Sequence, residues 1–310
     1  MNYLEYHGLA QEPFSNAPVT TYYFNSEQHQ KALSKLMFAA SNMKGLAVLT
    51  GEIGTGKTTL ARRMLDNLPE EEYEAALLVI IHAGINANWL LRRIALQLGV
   101  ESPADEKTAL LSQLYQRLMQ IYESGKKAIV LIDEAQMLHT TEIMEEFRGL
   151  LNLEVPGRKL ISFVFFGMPQ LEENLKLDPP LRQRMALKCT LEPLDEASTE
   201  AYMKHRLRLS GAKQMLFTPE ALKVVHRYAR GIPRLINTLS DNALFETFLS
   251  RTSVIDKSVI ESVATDLGLR EEAEKKELAA AMAAAVAIES ADKDREVEDF
   301  DRILDDIKKS

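Results

Sequence analysis

Residues Gly51-Glu52-Ile53-Gly54-Thr55-Gly56-Lys57-Thr58 follow the spacing G-x-x-x-x-G-K-[ST], with which a backbone loop wraps phosphate oxygens. Glycines at 51, 54 and 56 let successive N–H groups point inward. Lys57 would reach the β- and γ-phosphates of a nucleoside triphosphate. The Thr58 hydroxyl would bind Mg²⁺, with Thr59 beside it at the start of a helix. A second pair of groups, Asp133 and Glu134, ends the apolar run Ile129-Val130-Leu131-Ile132. Asp133 would hold Mg²⁺ directly or through water, and Glu134 would polarise the attacking water. Alone, an apolar run before Asp-Glu is a common way for a strand to leave a core. Joined to the upstream loop it completes a site for ATP hydrolysis to ADP and phosphate.

These groups need strands and helices to hold them. The apolar run 45–50 reads as a buried strand before the loop, and 58–67 as the helix after it, whose positive N-terminal end favours phosphate. Further strands are expected at 75–81, 128–132, 160–166 and 187–191. Helices are expected near 87–98, 105–123 (opening at Asp105) and 142–153, and another after the cap residue Ser26, where Leu33, Leu36, Met37 and Ala40 fall at helical spacing. Strands apolar on both faces and alternating with helices predict an α/β fold, a three-layer parallel sheet. After Pro193 the strand signal stops, and helices near 195–210, 219–229, 232–249 and 256–267 predict a small α-helical lid domain. The expected division is 1–193 for the α/β domain, including an aromatic segment 1–43, then 194–268 for the lid and 269–310 for an acidic tail.

The 310 residues are 46% apolar, enough for a substantial core. One cysteine, Cys189, excludes an internal disulfide and suits a reducing compartment. The first residues lack the pattern of a secretory signal. The most apolar stretch, 278–288, has eleven residues, against the roughly 20 that cross a bilayer. The expected location is cytoplasmic, touching a membrane only through a partner. The formal charge is −8. Residues 271–310 hold thirteen acidic against seven basic residues, hence −6. The body is therefore nearly neutral, which argues weakly against nucleic acid.

The run Asp133-Glu134-Ala135-Gln136, with the segments 144–154 and Phe166-Gly167-Met168-Pro169-Gln170-Leu171, resembles the AAA+ ATPases of the general secretion pathway A (ExeA) type, within the P-loop NTPase superfamily. Similar too are 3–9, 13–15, 26–33, 181–184, 202–207, Phe217-Thr218 and Gly231-Ile232-Pro233-Arg234 with Asn237. The likeness covers about 1–268. It implies a homo-oligomer, ring or filament, that serves pilus, secretin or polysaccharide-export machines at the inner face of a membrane. It implies that Arg234 is a second sensor touching the γ-phosphate, and that Arg182 or Arg184 is a finger inserted into a neighbouring subunit's site. Ile232, Pro233 and the N-terminal aromatics would enclose the base.

Two departures stand out. Met168 occupies the place where that family usually has glutamine, in the loop of the first sensor. A thioether is a poor hydrogen-bond partner, so Gln170 is the substitute the sequence offers. Longer members also carry a membrane segment and a peptidoglycan-binding domain that are not read here. Two other functions are expected to compete with export: a DNA-associated regulator of transposition, and a nucleotide switch with little hydrolysis. Lys204-His205-Arg206-Leu207-Arg208 and 226–230 read chiefly as solvated helix faces, and only secondarily as a DNA face. Trp89 and Tyr115 read as core. His82 and His139 lack partners at metal-ligand spacing, so no metal but Mg²⁺ is expected. In the tail, Val297, Phe300, Ile303, Leu304 and Ile307 form an apolar stripe suited to ordering on a partner protein or on the chain's own body.

Overall fold

The structure, a computed structural model, describes residues 2–17 and 22–270. In chain order its elements begin with helices α1 (Tyr3–Tyr6) and α2 (Glu27–Ser41), strand β1 (Leu46–Gly51) and α3 (Lys57–Asp66). Then come β2 (Tyr73–Val79), α4 (Ala87–Gln97), α5 (Lys107–Glu123) and β3 (Lys127–Asp133), followed by a 3-10 turn at Ala135–Met137 and α6 (Thr141–Leu150). The two-residue strands β4 (Glu154–Val155) and β5 (Arg158–Lys159) precede β6 (Ile161–Gly167), α7 (Gln170–Asn174), α8 (Pro179–Gln183) and β7 (Met185–Leu191). Four helices complete the described chain: α9 (Glu196–Leu209), α10 (Pro219–Ala229), α11 (Pro233–Leu249) and α12 (Lys257–Asp266).

Five strands form one sheet in the order β2-β3-β6-β1-β7, every pair parallel. Parallel neighbours require crossovers, and the helices that supply them cover both faces. The central strands β1 and β6 bury every residue. Along them and β3 the side chains alternate. Leu46, Val48, Val130, Ile132, Phe163 and Phe165 face the cluster with α4, α5 and α6, while Ala47, Leu49, Ile129, Leu131, Val164 and Phe166 face α2 and α3. Phe147 of α6 sets its ring edge-on to Phe163 and Phe165, with centroids 5.0 and 4.8 Å away. β7, at an edge, buries only alternate positions towards its end.

A third cluster gathers the inner faces of α9 to α12. The sequence placed 1–43 with the α/β layer, and of that segment α2 and Tyr23 pack there. Leu9 and Phe14 sit in the helical cluster, Phe14 edge-on to Phe217 at 5.9 Å. Tyr3 donates its hydroxyl proton to Asp241 Oδ1 at 3.2 Å, and His7 Nε2 lies 2.9 Å from the Leu244 carbonyl. The apolar residues of this segment share one buried cluster with the inner faces of α9 to α12.

Other expectations shift locally. α5 opens at Lys107 because the Glu106 carboxylate accepts the amides of Thr108 and Ala109. Asp105 instead pairs with Arg92. Tyr115 is 44% exposed despite its helical spacing, and Trp89 is half-buried with the Arg93 guanidinium over its ring. α7 and α8, five residues each, are too short to give a periodic signal. The 297–307 stripe lies outside the described residues. Among the described residues no helix is long and apolar enough to cross a membrane.

Candidate nucleotide-binding site

The site forms at the C-terminal ends of β1, β3 and β6, where the loops leave the sheet together. β1 hands its last residue, Gly51, to the loop, and α3 begins at Lys57 with Gly56 left-handed at φ 103°. Gly54 is left-handed too, at φ 82°, and a Cβ there would meet Arg234 Cβ at 2.7 Å. Only glycine lets the loop turn here with the lid helix so near. The buried Lys57 ammonium donates to the carbonyls of Gly51 and Glu52, both at 2.9 Å. Burial lowers its pKa, while Glu134, Asp133 and Glu52 pull it back up. The Thr55 hydroxyl closes the loop on the Glu52 carbonyl at 2.9 Å. These bonds hold the loop in its turned shape.

A buried imidazole buttresses that loop. His29 Nε2 lies 3.2 Å from the Thr55 carbonyl, and Nδ1 lies 2.7 Å from the Ser26 hydroxyl. A carbonyl only accepts, so Nε2 carries the proton and Ser26 donates to Nδ1. Burial lowers the His29 pKa and keeps the ring neutral. Sequence reading took Ser26 as a helix cap, which it is, and missed His29. A Ser-x-x-His at a helix start was the signal available.

Asp133 ends β3 at 1% exposure. One carboxylate oxygen accepts the Glu134 amide at 3.0 Å, and the other has no partner. Burial raises its pKa, against the Thr58 hydroxyl and the Glu134 amide. A buried, unpartnered carboxylate oxygen beside a threonine hydroxyl is a hard-oxygen donor set that suits Mg²⁺. Glu134 adopts φ 56°, left-handed for a residue with a side chain, a conformation that costs about 1 kcal/mol or more and clusters at working sites. That turn aims it into the same cleft as Lys57 and Thr58.

The cleft runs on between the sheet and the helical cluster of α9 to α12. Near the loop it is walled by Met168, Pro233 and Arg234, and at the far end by Asn16, Tyr23, Phe24, Tyr202 and Asn237. The Arg234 amide donates to the Gly54 carbonyl at 3.3 Å, so the lid touches the phosphate loop directly. Pro233 and Arg234 thus line the cleft; Ile232 packs against Gly54 rather than lining it. Gln170 is exposed and away from the cleft, so it does not replace the missing sensor glutamine. Gln136 comes there instead: it accepts the Met168 amide at 3.0 Å and donates to Glu134 Oε2 at 2.6 Å.

At the far end Arg206 is 6% exposed. It donates to the carbonyls of Pro13 at 2.5 Å and Ser15 at 2.6 Å, and its guanidinium lies 4.4 Å over the Tyr22 ring. The sequence read it as part of a solvated basic face; it is an internal staple for the N-terminal segment. Nothing in the charge pattern separates a buried arginine from its exposed neighbours Lys204 and Arg208. Arg182 and Arg184 stand apart from the cleft around α8. Arg184 is turned onto its own chain, to the Pro180 carbonyl at 2.9 Å and Asn152 Oδ1 at 2.8 Å. Arg182 is exposed, and its guanidinium has no hydrogen-bond or ionic partner among the described residues.

A parallel sheet of this order, with an amide-lined loop after its β1 strand and Asp-Glu at the end of β3, defines a P-loop NTPase of the AAA+ class. Residues 41–175 match the family of AAA domains. Within that class the chain is similar to General secretion pathway protein A of Aeromonas hydrophila, 36% identical over 275 residues that cover 87% of this chain and 49% of that protein. The chain thus spans about half the length of that relative. By fold it is similar to the ORC2 protein of Aeropyrum pernix (TM-score 0.63, 16% identity, 82% of this chain and 71% of that one). The same holds for Cdc6p of Pyrobaculum aerophilum (TM-score 0.63, 18% identity, 82% and 70%).

Proposed function

We propose that this chain hydrolyses ATP in the cleft and uses the cycle to drive or regulate assembly of a secretion, pilus or polysaccharide-export machine. The observation that carries the hydrolytic part is the facing of two preset groups. The closed loop offers amides and the Lys57 ammonium, and opposite it stand a buried carboxylate oxygen and Glu134. The loop amides of 51–59 and Lys57 bind the triphosphate. Thr58 and Asp133 hold Mg²⁺, which screens phosphate charge when bound. Glu134 accepts a proton from the attacking water. Arg234, fixed to Gly54 through its own amide, senses the γ-phosphate and ties the lid to nucleotide state. The N-terminal strap held by Arg206 belongs functionally with the lid of 194–268.

Arg182 is the better candidate for the finger given to a neighbouring subunit, because Arg184 would first have to break two hydrogen bonds. A finger in trans makes the active form a homo-oligomer. The export role is taken from the similarity to General secretion pathway protein A alone; in that role the protein would work at the inner face of a membrane through a partner. The DNA reading loses a support, since Arg206 is internal. Phosphate release measured across protein concentration tests the reading. Turnover per subunit should rise with concentration, and Arg182→Ala should abolish the rise while Arg184→Ala keeps it. Turnover per subunit independent of concentration would remove the trans finger.

A further inference from the structure

Glu134 must present one carboxylate oxygen to a water, yet its own backbone is strained and its side chain has freedom about three bonds. The structure shows what restrains it. Gln136, on the 3-10 turn directly after β3, donates from Nε2 to Glu134 Oε2 at 2.6 Å. Its Oε1 accepts the Met168 amide at 3.0 Å. An amide N–H only donates, so the carboxamide cannot be flipped: Oε1 must face Met168 and the NH₂ must face Glu134. The turn itself is held from α7, where Asn174 donates to the carbonyls of Gln136 at 2.8 Å and Leu138 at 3.1 Å. The approach needs Gly167 at the end of β6, where a Cβ would lie 3.0 Å from Gln136 Oε1. Glu134 Oε1 is left with no hydrogen bond among the described residues.

We infer that Gln136 is a positioning residue for hydrolysis. It occupies one carboxylate oxygen of Glu134, leaves the other for water, and ties the occupied oxygen to the loop after β6 that lines the cleft at Met168. That loop thereby contacts the general base although Met168 has no side-chain donor. The inference rests on the role proposed above for Glu134.

The test is a double-mutant cycle of Gln136→Ala with Glu134→Gln, supplemented by Gln136→Glu, which keeps size but replaces the donor with a carboxylate. Both Gln136 variants should lower kcat roughly 10- to 100-fold with KM for ATP unchanged, since only orientation is lost. In the Glu134→Gln background, Gln136→Ala should cost almost nothing more. Independently of turnover, hydrogen exchange of the Met168 amide should speed up in Gln136→Ala. An unchanged kcat in both variants, an equal loss in both backgrounds, or unaltered Met168 exchange would overturn the inference. Wild-type protein without any turnover would instead remove the Glu134 reading, and this one with it.

Discussion

At the residue scale the site is a set of groups denied their usual partners. Asp133 is the sharpest case, since burial raises its pKa and one oxygen has no donor. The folded state therefore holds the Asp133 proton more tightly than the unfolded chain does. Its contribution to stability declines as pH rises from the ordinary carboxylate range through the raised value. Asp133→Asn should thus raise the thermal midpoint of the ligand-free protein at neutral pH, by roughly 2–4 °C for about 1 kcal/mol. It should also flatten that acid-range dependence and abolish the extra stabilisation that Mg²⁺ adds to bound ATP. Calorimetry with and without Mg²⁺·ATP reads all three; a destabilised Asp133→Asn would contradict the charge argument. Lys57→Ala should lose nucleotide binding, measured by titration calorimetry, and retention of wild-type affinity would remove Lys57 from the site.

Between elements, one close contact joins the chain leaving β7 to the turn that precedes α11. Leu194 donates its amide to the Gly231 carbonyl at 2.8 Å, and a Cβ on Gly231 would come 1.8 Å from the Leu194 carbonyl oxygen. Gly231→Ala therefore has to move backbone, with φ already at 70°. It should weaken ATP binding and shift Arg234 from Gly54, while Gly125→Ala, also at positive φ but with open space around it, should affect stability only. Comparison of ATP affinity in the two variants checks this. Equal effects would mean that the Leu194 approach does not set the lid. Within the α/β layer, Phe147→Ala should cost about 3–5 kcal/mol, because the ring fills the space between Phe163 and Phe165. A denaturation midpoint shifted by less than half of that would show a core able to collapse around the gap.

For the whole molecule, the range over which a residue finds its partners decides what its sequence reveals. The phosphate loop, the carboxylates ending β3 and the change from strands to helices near 193 were legible because each is a local pattern with a fixed period or spacing. α10 matched its expected bounds, since Thr218 caps it and Pro219 opens it. What stayed hidden depends on distant partners. Arg206 and its exposed neighbours share one sequence character, and only the position of Pro13 and Ser15 makes it internal. Residues 3–14 precede the sheet in the chain yet complete the helical cluster, because Leu9 and Phe14 find their apolar partners there. Gln136 was quoted only as part of a resemblance, and its bond to Met168 spans 32 residues.

The role proposed for Glu134 is to activate water for a triphosphate held by the Lys57 loop. Single-turnover phosphate release from Glu134→Gln, compared with wild type at matched ATP occupancy, tests it most directly. ATP affinity should stay within a few-fold of wild type, and release should slow by roughly 10²-fold or more. Release at the wild-type rate from fully occupied Glu134→Gln would contradict it.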